Sequence, residues 1–449
     1  MSSMTFEPIT LERVLKTVNL LTALKSVERN KGSAGVDGMK THELREYFKT
    51  HPNEISTAIR LGKYKPQPIL RVYIPKDNGD KRPLGIPTVT DRFVQQAIAQ
   101  VLSQEYEKVF SDNSFGFRPK RGCKDAIAKA TEYVNQGYEW VIDLDLSKFF
   151  DTVNHSKLLQ VLSDRIQDGR VISLIHKFLR APICEDGKVG KKTIIGTPQG
   201  GCISPILANI LLNELDQLMD KRERPFVRYA DDMCVFCKSK KSAERVLEWM
   251  TSYIEKKLFL RVNRDKTKIS KVGRDTQYLG FAFRNAKFTS KARRDRNPDA
   301  KYLTTVHEKK LKKFKVKVRE ILDRRAKGGI QNVKRMLTYA LRGWVNYFGD
   351  AIPVGWLTET DAWIRRRIRQ LLWKQWKTPQ NRQHQFKIRW KKAQPLGGCT
   401  AYSSNSYWRM SINKQIHTAL ANKTLLAEGW TTLKEELANL HLRRASANC

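Results

Sequence analysis

The chain has 449 residues, the length of two or three ordinary domains, and 40% of them are hydrophobic, which excludes an entirely disordered protein. Its 84 Lys and Arg against 45 Asp and Glu give a formal charge of +39, which requires an anionic partner. Nucleic acid is the first candidate and a membrane surface the second. Most of the excess charge lies beyond residue 290, in the region that also holds eight of the ten Trp.

Membrane insertion and secretion are not expected from this sequence. No segment approaches the roughly 18 apolar residues that a transmembrane helix needs, and the first residues do not resemble a signal peptide. The seven Cys are scattered, so a disulfide framework is not expected. Cys234 and Cys237 form one C-x-x-C without a second pair, which favours two buried thiols over a zinc site. We therefore expect a reducing cytoplasm.

The hydrophobic pattern predicts mixed strands and helices in the first two thirds of the chain and basic helices afterwards. In chain order it predicts a helix at 10–30, strands at 69–75 and 82–89 around the turn DNGD, a helix from about Asp91 to Phe110, a strand at 138–146, a loop at 196–205 leading into a helix, and a hairpin at 226–237. Residues 290–300 are polar and charged. They mark the expected domain boundary, and three basic helical patterns follow between 309 and 376.

Three acidic positions carry the strongest chemical signal. Asp145 ends an apolar strand, and Asp231 with Asp232 forms the tip of a hairpin in the sequence YADD. Adjacent carboxylates repel each other and are poor strand formers, and a divalent cation would remove the repulsion. Mg²⁺ prefers such oxygen ligands, and two ions about 3.5–4 Å apart can activate a 3′-hydroxyl and stabilise leaving pyrophosphate. Asp143 shares the strand face with Asp145 and is the alternative first carboxylate.

Five motifs in order resemble the reverse transcriptases of bacterial group II introns, and the compact group IIC type most of all. They are RPLGIPTVTDRFVQQAI at 82–98, SFGFRP at 114–119, VIDLDLSKFFDTVNH at 141–155, TPQGGCISPILANILL at 197–212 and YADD at 229–232. RGWVNYF at 342–348 and IRRRIRQLLWKQWKTPQ at 364–380 also resemble the family's thumb and maturase region. The resemblance implies an α+β right-hand polymerase: fingers and palm with an antiparallel palm sheet, then a helical thumb and a basic, mainly helical C-terminal domain.

The same resemblance implies roles for individual residues. Asp145, Asp231 and Asp232 would be the catalytic carboxylates that hold two Mg²⁺ ions, with Mn²⁺ as a substitute. Phe150 would close the sugar pocket against a 2′-hydroxyl, although Phe149 can exchange roles with it. Gln199 would support the templating pair, and Lys76 and Arg82 would grip the triphosphate. Lys266, or its neighbour Lys268, would protonate the leaving pyrophosphate. Arg118 would face the template.

The basic tail is expected to contact nucleic acid through phosphate and sugar. The residues singled out are Lys312, Lys313, Lys315 and Lys317 on a thumb helix, and Arg365, Arg366 and Arg367 beside Trp363. The expected domains are 1–290 for fingers and palm, 291–378 for thumb and maturase, and 379–449 for binding target DNA. His384, His417 and His441 lack a paired C-x-x-C beside them, so no endonuclease domain is expected.

The leading hypothesis is therefore an intron-encoded RNA-directed DNA polymerase. It would use dNTPs and an RNA template with a DNA primer, and would bind its group II intron RNA to assist splicing. A free-standing relative in phage defence or a CRISPR system is the second enzymatic hypothesis. An RNA-binding splicing factor without polymerase activity, or a generic basic RNA chaperone, would leave the ordered palm motifs unexplained.

Overall fold

The structure is a computed structural model that describes residues 5–75, 79–295, 298–323, 328–389 and 400–447. The chain divides into two compact units, Met1–Val272 and Gly273–Cys449. This division falls earlier than the boundary at 290–300 that composition indicated. The reason is that a strand on each side of that segment joins one antiparallel pair, so the segment lies inside the second unit.

The first unit contains eight strands and eleven helices among its described residues. The strands are β1 (Ile69–Pro75), β2 (Lys81–Ile86), β3 (Trp140–Leu144), β4 (Ile183–Glu185), β5 (Lys188–Val189), β6 (Phe226–Tyr229), β7 (Asp232–Cys237) and β8 (Lys268–Lys271). The helices are α1 (Leu11–Val14), α2 (Thr17–Asn30), α3 (Leu44–Thr50), α4 (Glu54–Arg60), α5 (Val89–Tyr106), α6 (Cys123–Asn135), α7 (Phe149–Thr152), α8 (His155–Ser163), α9 (Gly169–Leu179), α10 (Ser204–Lys221) and α11 (Lys240–Lys257).

Two four-stranded sheets organise this unit. The first has the order β2-β1-β4-β5 and the second the order β6-β7-β3-β8. In the second sheet every pairing is antiparallel, and β3 is central because it pairs with both β7 and β8. The inward side chains of β3 are fully buried, as expected for a strand between two neighbours. Cys234 and Cys237 are buried on β7, which confirms the prediction of two buried thiols.

The predicted elements of the first unit are present, with shifted ends. The helix predicted at 10–30 is two helices, α1 and α2, separated at Leu15 and Lys16. β2 stops at Ile86 because Pro87 follows and cannot donate to a sheet ladder. α5 then begins after Thr88, whose hydroxyl accepts a hydrogen bond from the backbone N–H of Asp91. The predicted hairpin at 226–237 is β6 and β7, joined by the two residues Ala230 and Asp231.

The second unit is a helical assembly with one strand pair, β9 (Phe281–Asn285) and β10 (Tyr302–Val306). Its helices within the described ranges are α12 (Lys291–Asp295), α13 (Glu308–Ile321), α14 (Gly329–Phe348), α15 (Val354–Gln375), α16 (Pro379–Arg389), α17 (Tyr407–Met410), α18 (Lys414–Ala419), α19 (Asn422–Ala427) and α20 (Leu433–Ala447). Aromatic rings of α13, α14 and α15 pack together, with Phe314 and Trp344 centroids 4.4 Å apart and Trp344 and Trp356 centroids 5.2 Å apart. These two Trp are partly buried, and their ring contacts help to hold the basic helices together.

Candidate active site

Strand pairing in the second sheet of the first unit brings the predicted carboxylates together. β3 and β7 are antiparallel with Leu144 opposite Met233, so Asp145 directly follows β3 at the point where Asp232 begins β7. Asp231 lies in the turn between β6 and β7. Asp143 is inside β3, opposite Cys234 on one side and Lys268 on the other. Carboxylates distant in sequence thus meet at one edge of this sheet.

The raised pKa values of Asp232 and Asp143 reflect how close these carboxylates lie to one another. Partial burial, and then the carboxylates of Asp231 and Asp145, raise the pKa of Asp232 to about 6, although solvent still reaches its side chain. Burial, and then Asp232 and Asp145, raise the pKa of Asp143 to about 6. Mutual repulsion of this kind is what a bound divalent cation relieves. The carboxylate oxygens are the donors that Mg²⁺ prefers, so the residues present fit such an ion.

Lysines provide the counter-charge at the same edge. Lys266 Nζ is 3.7 Å from Asp145 Oδ2, and its side chain is exposed. Lys268 lies on β8 opposite Asp143 and helps to lower that carboxyl's pKa against the other effects. Within the described ranges, no three His, Cys, Asp or Glu side chains are already arranged around a single metal position. The metal ligands therefore remain a proposal.

A cavity of about 290 Å³ lies in the first unit, between the β1–β2 hairpin, α7 and the TPQGG loop. Its walls include Phe150, Gln199, Gly85, Arg71 and Ile183. Two of the residues predicted to bind nucleotide therefore line one cavity. Phe150 is partly exposed there, whereas Phe149 is buried in the core. This position favours Phe150 over Phe149 as the residue that contacts a sugar.

The TPQGG loop is tied to the β1–β2 hairpin and to α7. Arg82 Nε donates to Gln199 Oε1 at 2.8 Å, and the backbone N–H of Gly85 donates to the Gln199 carbonyl at 2.6 Å. A Cβ on Gly200 would lie 2.4 Å from the Gly85 carbonyl oxygen, so only glycine permits this approach. The backbone N–H of Thr197 donates to the Phe150 carbonyl at 2.6 Å. One side-chain hydrogen bond and two backbone hydrogen bonds thus hold Arg82, Gln199 and Phe150 near one another. Lys76 lies outside the described residues.

Arg118 does not face a template in this structure. Its side chain is 2% exposed, and its Nε and Nη2 atoms donate to the carboxylate of Glu107. Its Nη1 atom donates to the carbonyls of Ser111 and Ser114. A guanidinium with these partners is a structural tie that holds the loop after α5. The prediction that Arg118 faces the template is therefore corrected. The Arg118 guanidinium is buried because it binds the Glu107 carboxylate and the carbonyls of the loop.

The lysines of α13 divide into two groups. Lys312, Lys313 and Lys317 are exposed, and Lys312 has an ion pair with Glu308 on its own helix at 2.7 Å. Lys315 instead lies with its Nζ 3.1 Å from Glu359 and 5.8 Å from the ring centre of Trp356, both on α15. Three of the four predicted lysines are therefore exposed to solvent. Lys315 is engaged within the unit.

The arginine cluster on α15 is mostly committed to partners inside the second unit. Arg365 pairs with the buried carboxylate of Asp361, one helical turn away. The Arg366 guanidinium lies 3.6 Å from the ring centre of Trp408 and donates to the hydroxyl of Ser411. Arg367 lies 5.5 Å from the ring centre of Trp363, and burial lowers its pKa. These contacts do not support the predicted role of Arg365 and Arg366 as free nucleic-acid ligands, because their donors already have partners.

Sequence reasoning missed the polar side chains that support the YADD turn. Arg228, Asp216 and Asn209 are each almost fully buried, and they hydrogen-bond to one another. The available signal was an arginine in the otherwise apolar strand FVRY, since a charge in a buried strand needs a partner. His155 was also missed: its Nε2 atom lies 2.6 Å from the Gly196 carbonyl oxygen, beside the cavity wall.

Comparison with known proteins places this geometry in a class. Residues 74–283 match the reverse transcriptase (RNA-dependent DNA polymerase) family, and residues 311–390 match the maturase-specific domain of group II introns. Protein YkfC of Escherichia coli (strain K12) is 32% identical over 356 residues, which cover 70% of this chain and 91% of YkfC. The palm sheet, the hairpin before it and the helical remainder are the α+β right-hand fold of an RNA-directed DNA polymerase, as predicted.

The second match narrows the class further. Group II intron-encoded protein LtrA of Lactococcus lactis subsp. cremoris is 31% identical over 327 residues, which cover 58% of this chain and 54% of LtrA. This chain belongs to the group II intron-encoded reverse transcriptases with a maturase domain, which confirms the resemblance carried by the five motifs. The alignment spans about half the length of LtrA.

Two further findings complete the comparison. The polymerase domain of this family uses divalent metal ions, and its domains bind RNA templates and intron RNA. One solved structure, a partial Cas6-RT-Cas1--Cas2 complex, covers 55% of this chain and 42% of its own at 22% identity and a TM-score of 0.36. Among the described residues, no helix is both long and apolar enough to cross a bilayer.

Proposed function

We propose that this protein copies RNA into DNA by two-metal nucleotidyl transfer during mobility of a group II intron, with a nick in target DNA supplying the primer. The observation that carries the chemistry is the meeting of Asp145, Asp231 and Asp232 at one sheet edge. Helix α7 follows Asp145 in the chain, and its Phe150 lines a cavity together with Gln199. A bound Mg²⁺ ion would relieve the repulsion between the carboxylates.

In this proposal the three carboxylates hold two Mg²⁺ ions, for which Mn²⁺ can substitute. When bound, such ions lower the pKa of a primer 3′-hydroxyl and stabilise the leaving pyrophosphate. Lys266 lies 3.7 Å from Asp145, within reach of a leaving phosphate, and would donate a proton to it. Lys268 is the alternative donor, but its position opposite Asp143 directs it to that carboxylate.

The incoming dNTP would occupy the cavity between the hairpin and the TPQGG loop. The Arg82 side chain would release Gln199 and bind the triphosphate instead, with Lys76 as the second cation. Phe150 would exclude ribonucleotides by contact with the 2′-hydroxyl. Gln199, released from Arg82, would support the templating pair from the cavity wall.

The remaining regions would handle the long nucleic acids. We assign 1–290 to fingers and palm, 291–378 to thumb and maturase, and 379–449 to target DNA. The exposed lysines Lys312, Lys313 and Lys317 would contact the phosphates of template–primer, and the same region would bind intron RNA and assist its splicing. The free thiols of the described cysteines favour work in the reducing cytoplasm.

The direct test uses purified protein with an RNA template, a DNA primer and Mg²⁺. We expect extension with dNTPs and none with rNTPs, and absence of RNA-templated extension by folded protein would contradict the polymerase proposal. In parallel, a precursor RNA containing the intron that flanks the gene is incubated at low Mg²⁺. Faster splicing with protein supports the maturase half. Polymerase activity without any effect on splicing would instead favour a free-standing reverse transcriptase.

A further inference from the structure

A buried arginine joins the catalytic turn to two other motifs. Arg228, on β6, is 1% exposed, and its guanidinium lies against the fully buried carboxylate of Asp216 on α10. Its Nε atom donates to Asp216 Oδ1 at 2.8 Å, and its Nη1 atom donates to Asn209 Oδ1 and to the Ala230 carbonyl, both at 2.9 Å. One side chain thus bonds α10 and the backbone of the YADD turn.

The SFGFRP loop completes the same network. Asn209 Nδ2 donates to the Gly116 carbonyl at 2.8 Å, so this amide bridges the loop and Arg228. The backbone of Arg228 also pairs with the loop: its N–H donates to Asn113, and its carbonyl accepts from Phe115 at 2.8 Å. A Cβ built on Gly116 would lie 2.2 Å from the backbone nitrogen of Ala230. The loop therefore packs directly on the turn, with no room for a side chain.

The turn needs such support because its own sequence does not favour its shape. Ala230 has φ of +58°, a left-handed conformation that disfavours a side chain with a Cβ. Gly or Asn at this position would form a two-residue hairpin turn at lower cost. Asp231 follows directly, with a second carboxylate beside it. External contacts must therefore hold the turn in the form that places Asp231 next to Asp232, which begins β7 at the point where Asp145 follows β3.

We propose that Arg228, Asn209 and Gly116 are positioning residues for nucleotidyl transfer, which fix the Ala230–Asp231 turn so that its carboxylates face Asp145. The inference rests on the proposed polymerase function and deepens it. All three are buried behind the turn, so they would not touch nucleotide or metal. They act through the turn, and displacement of the turn by a fraction of an ångström changes the spacing of the metal ligands.

The matched pair Asn209→Ala and Asn213→Ala tests this role. Both asparagines are buried on the same face of α10, one helical turn apart, and both bond the loop after α5. Asn213 accepts only from the backbone of Ser111 and from Gln217, away from the turn. We expect Asn209→Ala to lower kcat about 100-fold, as small misplacements do in active sites. KM for dNTP and Kd for template–primer should stay within about threefold, with half-saturation shifted to higher Mg²⁺.

Two further variants keep the test decisive. Gly116→Ala should lower kcat at least as much, since its new Cβ must displace Ala230. Arg228→Lys keeps the charge beside Asp216 but loses the fork that reaches Asn209 and Ala230, so kcat should fall again. If wild type extends primers but Asn209→Ala and Asn213→Ala lower kcat equally, or if all variants lose dNTP and template binding together with kcat, this inference is overturned. If wild type itself does not extend primers, the proposed function fails instead.

Discussion

Charged side chains have different surroundings in two regions of the molecule. One is the end of the palm sheet that carries Asp143, Asp145, Asp231 and Asp232, here called the palm cleft, and the other is the helix pair α13 and α15 of the second unit. In the cleft, Asp143 and Asp232 have pKa values raised to about 6, first by burial and then by neighbouring carboxylates. On α15, Arg365 and Arg366 are already satisfied by Asp361 and Trp408. The carboxylates of the cleft thus repel one another, and a bound metal can relieve this repulsion. On the helices, much of the charge is instead paired with groups of the same unit.

The comparison shows for which charged residues a functional role can be inferred from the sequence. A carboxylate in an apolar strand is rare and costly, so its presence points to chemistry. Lys and Arg are abundant in this chain, and their long side chains can lie on aromatic rings or reach internal acids. Which of them remain exposed depends on tertiary packing. The residues named in the cleft therefore came together, while those named in the tail divided into exposed residues and residues engaged within the unit.

The largest effect on primer extension is expected from loss of the first metal-binding carboxylate, for which Asp145 and Asp143 are the two candidates. Asp145→Asn should lower kcat for primer extension about 10³-fold or more, because a metal-held oxyanion is worth several kcal/mol. Asp143→Asn should lower it about tenfold or less, because this carboxylate faces Lys268 inside the sheet. Single-turnover extension on an RNA template measures both. Equal losses, or a larger loss in Asp143→Asn, would make Asp143 the first metal ligand.

Sugar selection should depend on Phe150 and not on Phe149. Phe150→Ala opens the cavity wall, so discrimination against rGTP relative to dGTP should fall about 10- to 100-fold. Phe149→Ala removes a core ring and should lower the melting temperature without changing discrimination. The ratio of kcat/KM values for the two nucleotides decides between them, and a change confined to Phe149→Ala would exchange their roles.

On α13 and α15, the contrast between exposed lysines and arginines engaged within the unit predicts different salt dependences. Replacing Lys312, Lys313 and Lys317 together with Gln should reduce the slope of log Kd against log salt by about 2 to 3 for template–primer. Arg366→Gln should leave the slope unchanged and destabilise the protein by about 1 kcal/mol, since it loses Trp408 and Ser411. A reduced slope in Arg366→Gln would instead show that Arg366 contacts nucleic acid.

The smallest effect concerns a structural carboxylate in the first unit. The Arg170 side chain and the backbone N–H groups of Leu11 and Arg170 hold the pKa of Asp168 at about 2. Because the folded pKa lies below the unfolded value near 4, this stabilisation is present above about pH 4 and is lost as pH falls toward 2. Asp168→Asn should cost about 1–2 kcal/mol in urea unfolding at pH 7 and progressively less below pH 4. A constant difference across that range would contradict the assignment.

Much of the first unit follows from local sequence rules. An apolar run interrupted by Asp143 defines β3, a Pro–Gly-bounded pair defines β1 and β2, and YADD between apolar runs defines the β6–β7 turn. The Arg228 network was beyond such rules, because Asn209, Asp216 and Gly116 are distant in sequence and meet only in the fold. The division into compact units falls before residue 290 for a similar reason: pairing of β9 with β10 is a tertiary contact that composition does not report.

The central claim is that the YADD carboxylates perform the chemistry and that the basic surfaces hold the substrate. We would measure Mg²⁺-dependent extension of a DNA primer on an RNA template by wild type and by Asp231→Ala/Asp232→Ala. Template–primer Kd and melting temperature would be recorded on the same samples, with Asp164→Asn, an exposed carboxylate at the end of α8, as the control. The account predicts that extension is abolished in the double variant alone, with unchanged Kd. Extension that persists in the folded double variant would contradict it.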